Sequence, residues 1–285
     1  MKSSPASPVV NALSFDIEDW FHMVGIDAVD NPELWPTFPS LVERYTDQIL
    51  QTLADANVRA TFFTLGWIAD RYPALVKRIA AAGHELGTHS YWHRQCFTLT
   101  AEELRDDLRR SIDALEKAGG QKVLGFRAPT FSIIPGSEWI FDVLLDLGLK
   151  YDASLFPGTH GGGGYPCPME RHEFTGAPSG RPMRELPMSM MTILGKRIAF
   201  SGGGYLRLLP EWLIQRGFDQ LNSQGTPVVA YLHPRDFAVD CPRAPMPIHR
   251  RFKCYVGLST TATKFAMLLS RYRFATCAEV AGVVA

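Results

Sequence analysis

Hydrophobic positions along the chain alternate between two rhythms, one of strands and one of helices. Val9 to Phe15 is a short apolar run that ends in acids at Asp16, Glu18 and Asp19, the pattern of a buried strand with charge at its carboxyl end. Leu41, Tyr45, Ile49 and Leu53 then recur every four residues, as on one helix face. Ala60 to Leu65 reads as a second strand. Pro73 opens a helix carrying Leu75, Val76 and Ile79, and Gly83 releases the chain into His84 to Thr88. Thr100 and Glu103 form a capping box ahead of Leu104, Leu108, Ile112 and Leu115, and Gly119-Gly120 ends that helix. Lys122 to Phe126 reads as a strand with Arg127 at its end. Ile140, Val143, Leu144 and Leu147 mark the next helix, stopped by Gly148.

The alternation breaks between Pro157 and Pro187, where 31 residues hold seven Gly and six Pro. A loop that long inside a compact domain is usually functional or mobile. Beyond it, Glu185 to Leu194 and Arg197 to Ser201 can pair as a hairpin, and Pro210 starts a helix through Leu221. Pro227 to Leu232 is an apolar strand ending in His233. A helix over roughly residues 261 to 271 and a strand near Phe274 close the chain. Strands alternating with helices predict an α/β fold. No internal repeat or linker divides the chain, so residues 1–285 are expected to form one domain.

Composition narrows the chemistry. The 285 residues carry 29 Lys+Arg against 29 Asp+Glu. A balanced chain has no electrostatic reason to bind nucleic acid or an anionic membrane surface. The five cysteines (Cys96, Cys167, Cys241, Cys254 and Cys277) form no CxxC pair, which excludes a disulfide framework and a thiolate zinc site. No apolar run approaches the roughly 20 residues of a membrane helix. The N-terminus lacks the apolar core and cleavage site of a signal peptide, so the expected compartment is the cytoplasm.

Polar residues collect where strands are expected to end: Asp16, Glu18, Asp19, His89, Arg127, Asp152 and His233. In parallel barrels that end builds the active site. His89 and His93 lie four residues apart and can face a single ion, and the acidic cluster offers the carboxylate of a His₂-carboxylate site with open positions for water. Such an ion lowers the pKa of its water and polarises a carbonyl.

Together, Ser14-Phe15-Asp16-Ile17-Glu18-Asp19, Gly87-Thr88-His89-Ser90-x-x-His93, Arg127-Ala128-Pro129 and Tyr231-Leu232-His233-Pro234 resemble the polysaccharide deacetylase superfamily (NodB homology, carbohydrate esterase family 4). The resemblance covers residues 13–233. Gly202-Gly203-Gly204-Tyr205 to Pro210, with Arg251-Phe252 and Tyr255, looks like the subgroup found at exopolysaccharide and exosortase loci, which makes 234–285 a subgroup-specific part. The family implies a distorted (β/α) barrel and metal-dependent removal of N-acetyl groups from amino sugars of a bacterial surface polysaccharide or its precursor. It implies Asp16 as general base, Arg127 as its orienting partner and His233 as general acid. His89, His93 and a first-motif carboxylate would bind zinc, with nickel, cobalt or iron also admitted by the donor set. Leu232 would line the acetyl pocket, and Pro129, Thr130 and Phe131 the substrate site, with backbone N–H groups near Thr130 and Phe131 at the oxyanion. Asp152 matches the fourth motif only loosely.

The family's usual pair of adjacent Asp is interrupted here by Ile17. Side chains alternate along a strand, so Asp16 and Glu18 share a face and Glu18 is favoured as ligand; a turn straight after the strand would instead bring in Asp19. Trp20, Trp35, Trp67 and Trp92 are candidate sugar platforms, with Trp92 foremost, and Arg207 beside the triple glycine is a candidate substrate contact. His160, His172 and His249 default to surface or structural roles, Gly161 to Gly164 to a flexible lid. Ser14, Ser90 and Ser201 lack the nucleophile-elbow pattern. Competing functions are an O-acetyl esterase, an amino-sugar deformylase, a small cyclic-amide hydrolase and a catalytically silent carbohydrate-binding protein.

Overall fold

The computed structural model describes residues 9–158 and 163–284, which form one mixed α/β domain. His160, Gly161 and Gly162 lie outside the described residues, and with them half of the expected lid. The strands are β1 (Val10–Ile17), β2 (Thr61–Thr64), β3 (Glu85–Thr88), β4 (Gly125–Phe126), β5 (Tyr151–Asp152), β6 (His172–Phe174), β7 (Met183–Glu185), β8 (Met190–Ile193), β9 (Lys196–Ala199), β10 (Val229–Leu232) and β11 (Arg273–Ala275). The main sheet runs β10-β1-β2-β3-β4-β5-β7-β6, with β11 added beside the start of β1. Every pairing in it is parallel except β6 with β7. The sheet curls into an open half-barrel wrapped by helices.

Alternation along the strands sorts two cores. Phe15, Phe62, Phe126 and Leu232 point outward and pack in one cluster beneath the helices, while Phe63, Tyr151 and Val229 fill the concave side with Phe131 and Phe156. The helix Val42–Asp55 buries Tyr45, Ile49 and Leu53, and Ala101–Gly119 buries Leu104, Leu108 and Leu115 behind the Thr100–Glu103 capping box. None of the described helices is long and apolar enough to cross a membrane.

Two strand expectations need correction. The strand over 122–126 is only Gly125–Phe126, because the Val123 amide bonds to the Glu116 carboxylate instead of joining the ladder. Glu185 does not open a hairpin. It ends β7, which pairs in parallel with β5, and Pro187 separates it from the true hairpin Met190–Ile193 with Lys196–Ala199. That hairpin turns at Leu194 and Gly195, both left-handed (φ 49° and 76°).

The β5–β7 pairing sets Asp152 beside Glu185, two buried carboxyls with one hydrogen bond between them. Asp152 accepts from the Ser154 hydroxyl (2.6 Å) and amide (3.0 Å), and Glu185 Oε1 from the Leu155 amide (3.0 Å). Glu185 Oε2 meets no donor, so as a neutral acid it donates to Asp152. Burial, reinforced by the Asp152 charge, holds Glu185 well above the ordinary value of 4.5. The native state therefore keeps a proton that the unfolded chain sheds, and this pair's stabilisation is lost as pH rises. Glu185→Gln should flatten that loss: urea midpoints at pH 5 and pH 8 should show the variant gaining on the wild type at pH 8, and a gap that is constant or widens with pH would contradict the shared proton.

Candidate active site

The site forms where β1 ends, between its neighbours β2 and β10. Asp16 lies on the inner face. The Glu18 amide folds back to the Asp16 carbonyl (3.1 Å), so β1 turns immediately after Ile17. That turn sends Asp19 away from the pocket. Its carboxylate accepts from Ser40 Oγ (2.5 Å), the amides of Leu41 (3.0 Å) and Val42 (3.2 Å) and its neighbour Trp20 (2.9 Å), which caps the helix Val42–Asp55 from a distant strand. Glu18 is the acid that reaches the histidines.

His89 and His93 are not on a helix. The chain leaves β3 and curls through two left-handed residues, Ser90 (φ 68°) and His93 (φ 56°). Buried bonds hold this shape. Ser90 O accepts from the Gly66 amide (2.9 Å) and Ser111 Oγ (3.0 Å), Asp107 accepts from the Tyr91 amide (2.6 Å), and the His93 amide donates to Ser90 Oγ (3.1 Å). Strain of this kind persists only when its surroundings over-determine it.

Glu18, His89 and His93 are all buried, each with a ligand atom within 4.8 Å of the others. His89 Nδ1 donates to the Arg127 carbonyl (2.8 Å), leaving the Nε2 lone pair for an ion, and burial lowers its pKa to about 4, so the ring is neutral near pH 7. His93 Nε2 lies 2.8 Å from Glu18 Oε2, yet Oε2 accepts no hydrogen bond from any described residue. An N₂O donor set with an orphaned carboxylate oxygen at its centre fits a divalent ion.

Arg127 is wholly buried. Its Nη1 donates to Asp16 Oδ1 (2.8 Å) and Ser14 Oγ (2.7 Å), its Nε to the Ala153 carbonyl (3.1 Å), and its guanidinium lies 4.3 Å from the Phe63 ring centre. Across the pocket, His233 Nε2 stands 3.8 Å from Asp16 Oδ2 and 3.7 Å from Glu18 Oε1. His233 Nδ1 bonds to Asp236 Oδ2 (3.0 Å). Burial works against a charge on His233, but Asp236, together with Glu18 and Asp16, outweighs it and raises the pKa. Arg207 Nε lies 2.9 Å from the other Asp236 oxygen.

This placement overturns the expectation that Arg207 contacts substrate. It is buried, and its Nη atoms donate to the carbonyls of Lys253, Cys254 and Val256, so the guanidinium is committed to Asp236 and the backbone. Leu232 is also displaced from its expected role. It faces the outer core, whereas Tyr231, one residue earlier and on the same strand face as His233, lines the pocket. Thr130 and Phe131 line the pocket, both left-handed at φ 54°. The Phe131 amide is spent on the Ala128 carbonyl (3.0 Å). Pro129 is buried and begins that turn. Trp92 is partly buried beside Trp35 in a neighbouring cavity of about 310 Å³, while Trp20, Trp35 and Trp67 are core.

Sequence reasoning missed Asp236, His22, Arg235 and Tyr231. Asp236 had a readable signal: three residues after His233, it closes a capping box in which the His233 amide also donates to it (2.8 Å). The triple glycine is explained by contact. A Cβ at Gly203 would collide with the Asp236 carboxylate and one at Gly202 with the Tyr231 ring, while Gly204 has room.

Two family models match the chain in adjacent stretches, "Polysaccharide deacetylase" over residues 27–151 and "Domain of unknown function (DUF3473)" over 153–282. A peptidoglycan-N-acetylglucosamine deacetylase of Bacillus cereus is 36% identical over 132 residues, 46% of this chain and 40% of that protein. A peptidoglycan deacetylase of Helicobacter pylori is 31% identical over 108 residues, 38% of this chain and 36% of that one. The matched stretch thus spans less than half the length of either relative. Among solved structures, a putative polysaccharide deacetylase from Mycobacterium smegmatis superposes with a TM-score of 0.59 at 20% identity, over 99% of this chain and 94% of that one. A carbohydrate esterase family 4 pseudoenzyme from Bacillus anthracis gives 0.52 at 17% identity, over 98% and 66%. At these identities the superpositions speak for the fold alone.

The two acids should separate cleanly on substitution. Glu18→Gln should abolish stoichiometric zinc uptake measured by calorimetry and leave the melting temperature near that of the metal-free wild type. Asp19→Asn should still take up one zinc per chain but lose about 1–3 kcal/mol of stability through the broken cap. Zinc retained by Glu18→Gln and lost by Asp19→Asn would reverse the assignment.

Proposed function

We propose, from the premise that this chain carries a polysaccharide deacetylase domain of the NodB, carbohydrate esterase family 4 type, that it hydrolyses the N-acetyl group of an amino sugar in a bacterial surface polysaccharide or its precursor. The observation that carries this reading is the facing of Asp16 and His233 across one pocket whose wall also holds Glu18, His89 and His93. A base and an acid lining one pocket suit hydrolysis of an amide, in which one group takes a proton from water and the other returns one to the leaving nitrogen.

Glu18, His89 and His93 would hold the divalent ion, zinc being the first choice among zinc, nickel, cobalt and iron. When bound, it supplies Lewis-acid polarisation of the acyl oxygen and a lowered pKa for water. Asp16 accepts the proton of the attacking water at Oδ2, the oxygen that Arg127 leaves uncovered. Thr130, which lines the pocket, would donate its amide to the developing oxyanion. His233 protonates the departing amine through Nε2, and Asp236 fixes the tautomer by holding Nδ1. Arg207 positions Asp236, so the acid rests on a chain of three residues reaching into the backbone of residues 253–256. Tyr231, Phe131 and Phe156 make the apolar wall against which an acetyl methyl can lie.

The direct check is released acetate. Zinc-loaded protein given N-acetylated amino-sugar oligomers should liberate acetate, with O-acetylated and N-formylated sugars as comparison substrates. Asp16→Asn and His233→Ala should each lower kcat by about 10²–10⁴-fold while keeping zinc. Asp236→Asn should lower kcat by about 10–100-fold at nearly unchanged KM, as expected of a partner that orients the acid. Absence of acetate from every N-acetylated sugar, with zinc bound, would defeat the reading.

A further inference from the structure

One wall of the pocket is built of hydrogen-bond donors that the deacetylation chemistry leaves idle. Arg235 and His22 line the same cavity as Asp16, Glu18 and His233. Arg235 makes no ion pair or side-chain hydrogen bond among the described residues, and its buried Nε has no partner. The buried Arg127 and Arg207 each hold an ion pair, with Asp16 and Asp236, whereas the half-buried Arg235 holds none among the described residues. The negative groups that reach Arg235 do so only through space, with Glu18 foremost.

His22 is just 2% exposed, and its Nε2 is likewise unpartnered. The Asp19 amide donates to its Nδ1 (2.8 Å), which places the ring proton on Nε2. His22 is therefore an N–H donor toward the cavity. It is a poor fourth ligand, because coordination through Nε2 would put a proton on Nδ1 against the Asp19 amide. Arg250 secures this wall, donating to the carbonyls of Val24 (2.7 Å) and Gly25 on the loop that carries His22 and Met23.

A guanidinium without a direct hydrogen-bond partner and a fixed N–H donor lining one cavity suit an acceptor that is itself charged, since charge-assisted hydrogen bonds are the strong ones. Building on the deacetylase reading, we propose that the substrate carries an anionic group, a phosphate or a carboxylate, beside its N-acyl sugar, and that Arg235 and His22 bind that group. Asp152 and Glu185 do not compete for this role, since neither lines the pocket.

The test compares binding of N-acetylglucosamine, its 1-phosphate and N-acetylmuramic acid by calorimetry. It uses full-length protein stripped of metal with chelator, so that no bound ion can attract the anion. Wild type should bind at least one charged sugar about tenfold or more tighter than the neutral one. The phosphate and carboxylate arms tell which anion it is. Arg235→Ala should bring the charged sugar to within twofold of the neutral one, and Arg235→Lys should recover part of the preference. His22→Gln, which keeps an N–H donor, should lose less than His22→Ala. Circular dichroism melts confirm that each variant is folded. Equal affinities in the wild type, or a preference that survives Arg235→Ala, would overturn the proposal. Acetate release is scored separately: charge preference without acetate would defeat the deacetylase reading and leave the anion site standing, and acetate without charge preference the reverse.

Discussion

The site depends on one buried ion pair. Arg127 has no solvent exposure, and a guanidinium there is tolerable only because Asp16, Ser14, Ala153 O and the face of Phe63 surround it. The same residue uses its main chain for a second task, since its carbonyl orients His89. One position just after β4 thus fixes both Asp16 and the His89 imidazole. Removing one partner of such a pair typically costs about 3–5 kcal/mol, because the remaining charge is stranded. Loss of Arg127 would therefore unsettle the fold and the chemistry together.

Much of this was legible in the chain. The strand Val10–Ile17, the helices behind Thr100 and over Thr261–Arg271, and the clustering of polar residues at strand ends follow from periodicity and caps. Glu18 over Asp19 followed from alternation, although the turn after Ile17 is what carries Asp19 off to cap a helix. Other features were hidden for a physical reason: they depend on which way one residue faces. Leu232 and Tyr231 are adjacent, both apolar enough to line a pocket, and only the strand's phase decides between them. Arg207 looked like a substrate contact because arginine beside glycines is common at binding sites, and nothing in its neighbourhood announced the carbonyls of residues 253–256, some fifty positions on. The spacing of His89 and His93 fits one helical turn or a loop imitating one, and the chain takes the loop, with two left-handed residues bringing the rings together.

The two matched stretches meet near residue 152, yet the sheet passes through that point without a break, since β5 pairs with β4 on one side and β7 on the other. The pocket likewise draws His89 and His93 from the first stretch and His233 from the second, with Arg127 of the first bonded behind Asp16 and Asp236 of the second behind His233. Asp16 and Glu18 precede both. The acid side of the pocket is anchored through Arg207 to the segment around the helix Ile248–Tyr255, so the C-terminal part of the chain helps to build the site.

The triple glycine records this architecture in a form that outlasts any single contact. Gly202 is moulded to the Tyr231 ring and Gly203 to the Asp236 carboxylate, while a side chain at Gly204 would meet only an ordinary contact with Arg207. Two of the three positions are the negative imprint of side chains on the opposite wall, so they can drift only if residues 231 and 236 drift with them. The third is free to vary. In a lineage that gave up the acid, the constraint at Gly203 would lapse before any change was visible in the fold, and a side chain at that position would be an early mark of lost catalysis.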